Sequence, residues 1–327
     1  MKKLFYILTL FITFLSFNSC NNEGSRNLKY DDNFSNGKAG EVMLVIDSNY
    51  WKPAAFDSIN HVLLQPQQSL NQAEPMFDIL SFNSNDFTAY FQRHRNIIHF
   101  DVNPNYSLNS FSIDDNVWAS PQIYVHIKGN NPDSCLSLFM KNKKLILQKL
   151  YDNDLRRLQV FYKQHNNPET EKIIKKKFDI GITIPYQYTL ELDTLNYIGL
   201  RFWTAKNDRF ISIYKCPAKE LNKENIIASL NEMYQKYFEG AVAGAYPKIA
   251  DDYDPIANAV KIHGKIGIEM KGLWNSSGDY MGGPFVSFSF YDNSKENIIN
   301  VFGFLYAPEE NKRDFLREVE AIVKTVQ

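Results

Sequence analysis

Apolar positions along this chain fall into two kinds of pattern, which predict two successive sets of strands and helices. Glu41-Val-Met-Leu-Val-Ile-Asp47 is an unbroken apolar run between carboxylates, the pattern of a strand buried on both faces. Pro53 opens a helical stretch in which Phe56, Ile59 and Leu63 share a face, and Pro66 follows its end. Further strands are predicted over Met76–Phe82, Asn96–Val102 and Gln122–Lys128, the last stopped by Gly129-Asn-Asn-Pro132. Asp133 is placed to cap a long helix on which Leu136, Phe139, Met140, Lys143, Ile146, Leu147 and Leu150 recur at helical spacing. A second helical segment, Asp154 to about Gln164, continues it.

The second set begins with a basic run, Lys175 to Lys177, read as a solvated strand entry. Phe178 to Pro185 follows, with Phe178, Ile180, Ile182 and Ile184 alternating onto one face. Tyr197–Trp203 and Arg209–Tyr214 read as a hairpin. Asn222 is the N-cap of a helix to Phe238, with Ile226, Leu230, Met233 and Tyr237 as its stripe and Gly240 at its end. Lys265–Lys271 is a strand. Gly272 and Gly278 bracket a turn containing Trp274, and Met281-Gly-Gly-Pro284 forms a second turn. Phe285–Tyr291 is then a half-covered strand, paired with Ile298–Tyr306. Pro308 stands at the first position of a last helix, whose core face is Phe315, Val319, Ile322 and Val326.

Together these elements predict an α+β protein of two α/β halves, 37–166 and 167–327. Each is a mainly antiparallel sheet with helices packed on one face.

The first residues break both patterns. Lys2 and Lys3 precede an uncharged apolar stretch, Leu4 to Phe17, too short to span a bilayer. Ser19-Cys20 follows it directly. A small residue and a Cys at this place resemble a bacterial lipoprotein signal, although Phe17 and Asn18 depart from its usual residues. Residues 1–19 are therefore read as a signal peptide, Cys20 as an acylated anchor and 20–36 as a polar tether. The expected location is the cell envelope, on the periplasmic side or the cell surface.

Composition narrows the function. The formal net charge is −1, which gives no basic footprint for nucleic acid. No GxSxG, HExxH, P-loop or CxxC motif is present, and no cofactor is expected. His94 and His99 lack the spacing of a zinc pair, and Asp251-Asp252-Tyr253-Asp254 lacks that of an EF-hand. No metal is expected. Cys135 and Cys216 are compatible with a disulfide in an oxidising compartment, or with two buried thiols.

The candidate contact surface is the glycine–aromatic stretch Trp274, Met281, Gly282, Gly283, Pro284 and Phe285. Its alternative is purely structural: glycines for turns, aromatics for core.

The lipoprotein signal, GEVMLVID followed by a Trp, EPMFD, RNII, GLW…GDYMGGPFVS and GFLYAP…KRDFLREVEAI together resemble a family of uncharacterised Gram-negative envelope lipoproteins, known only as a domain of unknown function. That resemblance implies no activity. The element order of the second half is also similar to the PsbP-like α/β/α sandwich, which implies binding to a partner within a membrane assembly. The function read from all this is a membrane-anchored, non-catalytic binding or assembly module with an envelope protein partner. Two alternatives stand beside it: a hydrolase using Asp279 or Asp292 with His263, and a glycan- or lipid-binding protein.

Overall fold

The strand β1 (Glu41–Val45) opens the first half and is an interior strand of its sheet. The computed structural model describes residues 33–327 except Ser48 and Tyr50, so Cys20, the signal peptide and most of the tether lie outside the described residues. From Ser35 the chain is part of one compact unit that runs to Gln327. After β1 come α1 (Pro53–Leu63), β2 (Asp78–Phe82), the short α2 (Ala89–Gln92), β3 (Asn96–Val102), β4 (Ser110–Asp115), β5 (Ile123–Gly129) and the 33-residue α3 (Pro132–Gln164).

The first sheet has the order β2-β1-β3-β5-β4. Its β1–β2, β1–β3 and β3–β5 pairs are parallel, and β4 closes the edge antiparallel to β5. β1 is buried on both faces. Val42 and Leu44 join the core of α1 and α3, while Met43 and Val45 pack with Phe82, Phe87 and Phe91. α3 is one helix rather than two segments. Its N-cap is Asn131, whose side chain accepts from the Ser134 N–H at 2.9 Å, so Asp133 sits in the first turn instead of capping it.

The second half runs α4 (Pro168–Phe178), β6 (Thr189–Asp193), β7 (Tyr197–Trp203), β8 (Asp208–Pro217), α5 (Lys223–Tyr237), β9 (Tyr246–Ile249), β10 (Ile256–Ile262), β11 (Lys265–Ser277), β12 (Gly282–Tyr291), β13 (Asn297–Tyr306) and α6 (Arg313–Val323). The strands form one antiparallel sheet, β10-β11-β12-β13-β8-β7-β6, with β9 added to the end of β11. The fold is α+β, and antiparallel pairs predominate over the chain as a whole.

Several sequence expectations give way here. Lys175–Lys177 are in the last turn of α4, where lysines complement the helix dipole. Phe178–Pro185 is not a strand. Its alternation is real in burial, since Phe178, Ile180, Ile182 and Ile184 are all core. Its backbone, however, bonds to the C-terminus: Gly181 and Gln327 exchange two N–H···O bonds at 3.0 and 2.8 Å. The turn predicted around Trp274 is the interior of β11, and β12 already begins at Gly282. Pro308 lies in a turn, and α6 starts only at Arg313.

β12 is covered on both faces rather than half-covered. Val286, Phe288 and Phe290 share the core of α6, while Phe285 and Phe302 pack with α5 residues Leu230, Met233 and Tyr234. The second sheet therefore carries helices on both faces, whereas α1 and α3 lie on one face of the first.

A single core spans the two halves, with α3 against α6. Its polar centre is Asp154 on α3, which is 1% exposed. Its carboxylate accepts from the Gly40 N–H at 3.1 Å, Arg95 Nη1 at 3.2 Å, Asn96 Nδ2 at 3.1 Å and Arg317 Nη1 at 2.8 Å. One turn further along α6, Glu320 meets Lys271 Nζ at 2.7 Å, Lys324 Nζ at 2.9 Å and the Tyr151 hydroxyl. Gly40 has φ +73°, and a Cβ there would come within 2.6 Å of Arg313 Nη2. The position therefore requires glycine twice over.

Candidate functional site

The topology singles out one place in the first sheet. The chain leaves β1 for β2 on one side and returns to β3 on the other, so the carboxyl ends of β1 and β3 flank the point where the winding reverses. In open sheets of this kind ligands bind at such a crevice. His99 of β3 lies opposite Val45, the last residue of β1, and Asp47 follows two residues later.

His99 also lies opposite His126 of β5, and alternation places both on the face away from α1 and α3. Their imidazoles stack with centroids 5.3 Å apart and planes at 15°. Three more rings complete a circuit. Tyr124 lies 5.2 Å from His126, Trp118 is edge-on to Tyr124 at 4.8 Å, and Phe87 touches Trp118 at 5.7 Å and His99 at 5.5 Å. Trp118 is 36% exposed, whereas Tyr124 beneath it is 8% exposed.

Polar groups tie the rings together. His99 Nδ1 and the Tyr124 hydroxyl share a hydrogen bond of 2.9 Å. Asp101 Oδ2 is 3.3 Å from His126 Nε2 and accepts from the Tyr106 hydroxyl at 2.8 Å. At the lip of β1, Asp47 accepts from the N–H and hydroxyl of Ser84 at 2.7 and 2.9 Å.

These surroundings hold both histidines neutral. Burial, then the neighbouring His126, pulls His99 down to about 4. Burial and Lys128 lower His126 despite its Asp101 partner. Burial, then Asp101 and Asp114, raises the Tyr124 phenol well above its ordinary value, so its proton stays on. A neutral imidazole is both donor and acceptor, and so is a phenol. The face therefore offers hydrogen bonds of either sense beside aromatic surface. An Asp–His pair is also the orienting half of a catalytic triad. The cross-strand neighbour of His126 is Ser112, but its hydroxyl donates to Asp114 at 2.9 Å. Among the described residues no serine or cysteine is hydrogen-bonded to the His126 imidazole.

The residues singled out from the sequence lie elsewhere. Trp274 and Phe285 are 3% and 0% exposed and belong to the core under α5. Trp274 Nε1 donates to the Leu305 carbonyl at 3.1 Å. Gly283 and Pro284 are buried, and Met281 and Gly282 are partly exposed. Gly283 is required by close approach, since a Cβ would stand 2.1 Å from the Leu305 oxygen.

Cys135 and Cys216 are free thiols, Cys135 in the core with α3 and Cys216 beside α5. Of the hydrolase candidates, Asp279 accepts from the Ala241 and Met281 N–H groups, each at 2.9 Å. Asp292 holds the β12–β13 turn through Ser294 and Asn297 at 2.9 and 2.8 Å. Both carboxyls are lowered, because hydrogen bonds to the ionised form outweigh burial. His263 is exposed in the β10–β11 turn with φ +42°. These are turn-building residues.

His94 is buried, with Nδ1 3.0 Å from the Asn96 carbonyl. Lys248 and Lys223 pair with Asp251 and Asp254 of the acidic loop. Among the described residues no group of three or more His, Cys, Asp or Glu side chains is placed to hold a metal ion. Nor is any helix among them long and apolar enough to cross a membrane.

Two family models cover most of this chain, and both describe domains of unknown function. Residues 167–325 match the domain of unknown function DUF4837, and residues 35–163 match the domain of unknown function DUF8532. No curated protein matches the sequence. Among solved structures, a mutant form of protein Mog1 aligns with 45% of this chain and 89% of its own at 7% identity and a TM-score of 0.30. LpqN of Mycobacterium tuberculosis, described as involved in cell envelope biogenesis, aligns with 45% of this chain and 83% of its own at 9% identity and a TM-score of 0.28. Neither score is high enough to carry an argument about this chain.

The boundary between the two matches, 163–167, falls at the end of α3. Gly40, Glu74 and Arg95, within residues 35–163, each bond to α6 of the other matched segment or to its partner Asp154.

The ring circuit was weakly signalled in the sequence. His99 and Asp101, and Tyr124 and His126, are each two residues apart on predicted strands. That spacing puts each pair on one face. Only the β3–β5 register brings the pairs together.

Proposed function

We propose that this protein is a lipid-anchored, non-catalytic binding module of the cell envelope. Its recognition surface is the partly exposed rim of the first sheet's second face around Trp118, His99 and His126. The observation that carries this reading is the state of the ring circuit. Its imidazoles are neutral and partnered, its phenol is protonated, and the Ser112 hydroxyl opposite His126 is engaged by Asp114. Such a face offers a ligand hydrogen bonds of either sense beside aromatic surface. The basic–apolar leader ending at Ser19-Cys20 supports the anchor.

The test is a photo-crosslinking residue placed at position 118 in intact cells, with Tyr280, fully exposed in the second half, as the control position. A discrete adduct from position 118 and none from position 280 is the expected result. Identical adducts from both positions would remove the reading.

A second reading, glycan binding, is favoured by one feature: an exposed indole beside paired hydrogen-bonding side chains, the composition of a sugar platform. Soluble oligosaccharides should then change Trp118 fluorescence, and Trp118→Ala should abolish the change.

A further inference from the structure

A second site lies on the other half of the molecule, independent of the reading above. A cavity of about 210 Å³ opens where the end of α4, β8, the start of β11 and the β12–β13 turn meet. Its floor is apolar, with Phe178, Phe290 and Ile299 buried. Its wall carries three lysines, Lys177, Lys215 and Lys265.

The charges around it do not balance. Lys177 is paired with Asp193 and donates to the Thr194 carbonyl at 2.6 Å. Asp179 is taken by Lys175 at 2.7 Å and by Asn293 Nδ2 at 2.9 Å. The Asp292 carboxylate is occupied by the donors of its own turn. Lys265 rests over the Phe290 ring at 5.2 Å, and among the described residues neither Lys265 nor Lys215 has a carboxylate at ion-pair distance. Among the described residues, Asp292 is the one lining carboxylate whose partners are neutral, so two ammonium groups face the concavity against a single uncompensated carboxylate and leave it net positive.

The cavity is smaller than the roughly 300–1,000 Å³ that encloses a whole drug-sized ligand. It equals the liquid share of about seven waters. That is room for one compact anion and the atoms next to it. Lysine binds phosphate as a point charge with three rotatable donors.

The geometry points to a phosphate-binding site in which Lys215 and Lys265 share one phosphate group over the Phe290 floor. The phosphate is either free or the headgroup of an anionic lipid.

The test is amine acetylation of the full chain, read residue by residue by mass spectrometry. Inorganic phosphate is added in one arm, and vesicles of phosphatidylglycerol or of phosphatidylcholine in others. Lys172, exposed on α4, is the reference. Phosphate is expected to slow modification of Lys215 and Lys265 together and to leave Lys172 unchanged. A shared anion also makes the lysines interdependent: Lys215→Gln should weaken phosphate protection of Lys265 at least about tenfold, equal to 1.4 kcal/mol. Lys265→Gln should do the same for Lys215. Protection by phosphatidylglycerol alone would identify the lipid headgroup as the source. Protection by neither, or protection of Lys265 that survives Lys215→Gln, would overturn the site. Circular dichroism of both variants keeps a folding defect from passing as lost binding.

Discussion

The Glu74 carboxylate accepts from the backbone N–H groups of both Lys312 and Arg313, at 2.7 and 2.9 Å. The first turn of α6 is thus capped by a residue 238 positions earlier in the chain. The same Glu74-Pro-Met-Phe-Asp78 segment supplies the Pro75 carbonyl and the Asp78 carboxylate to Arg313, and the Met76 carbonyl to Arg317. Arg317 also lies over the Phe77 ring at 5.1 Å. Two motifs that looked like separate signatures are one clasp.

Because an N-terminal N–H pair buried without a partner is costly, Glu74→Gln should lower stability by about 2 kcal/mol, mainly through loss of the charge-assisted bonds. Denaturant unfolding of the two proteins would measure it. An unchanged midpoint would show that the cap contributes nothing.

Asp154→Ala should be more damaging. It leaves the guanidinium groups of Arg95 and Arg317 buried without their shared carboxylate. Breaking a buried ion pair from one side typically costs 3–5 kcal/mol, so a loss of about 4 kcal/mol is expected. The double substitution Asp154→Leu with Arg317→Met should recover part of the loss, since well-packed apolar replacements of buried pairs are often neutral.

Acid should weaken the clasp through Glu320. Burial alone would raise its carboxyl, but Lys271, Lys324 and the Tyr151 hydroxyl outweigh burial and hold it at about 2, against an ordinary 4.5. A carboxyl lowered by folding contributes stability above its unfolded value and loses it as pH falls. The loss should therefore run from about pH 4.5 down through about pH 2. Thermal unfolding across that range should show a slope that Glu320→Gln flattens.

The imidazole of His99 should titrate near pH 4 rather than 6.5. Its lowered value means that the unfolded chain takes up a proton first, so stability falls as pH drops from about 6.5 to 4. Imidazole resonances followed by NMR would test this. Titration near 6.5 would mean that the ring circuit is open to water.

Cys20→Ala should release the protein from membranes or leave residues 1–19 uncleaved, because alanine has no thiol to carry an acyl chain. Membrane fractionation unchanged by the substitution, with no fatty acid on Cys20, would remove the anchor from the reading.

Local pattern determined much of this protein. The Val42–Ile46 run, Ile226, Leu230 and Met233 of the α5 stripe, and the alternation of Phe178 to Ile184 each predict burial, because burial follows from side-chain periodicity over a few residues, although Tyr234 rather than Tyr237 completes the α5 stripe. Pairing is a different matter. The residues around Ile180 alternate like a strand, yet the carbonyl they bond belongs to Gln327. Trp274 and Phe285 look like a surface until α5 covers them. The Glu74 cap, the four donors on Asp154 and the His99–His126 stack join residues dozens to hundreds of positions apart. No local preference encodes such contacts. They exist because close packing of α3, α6 and the two sheets removes water from these groups and obliges each to find its partner inside.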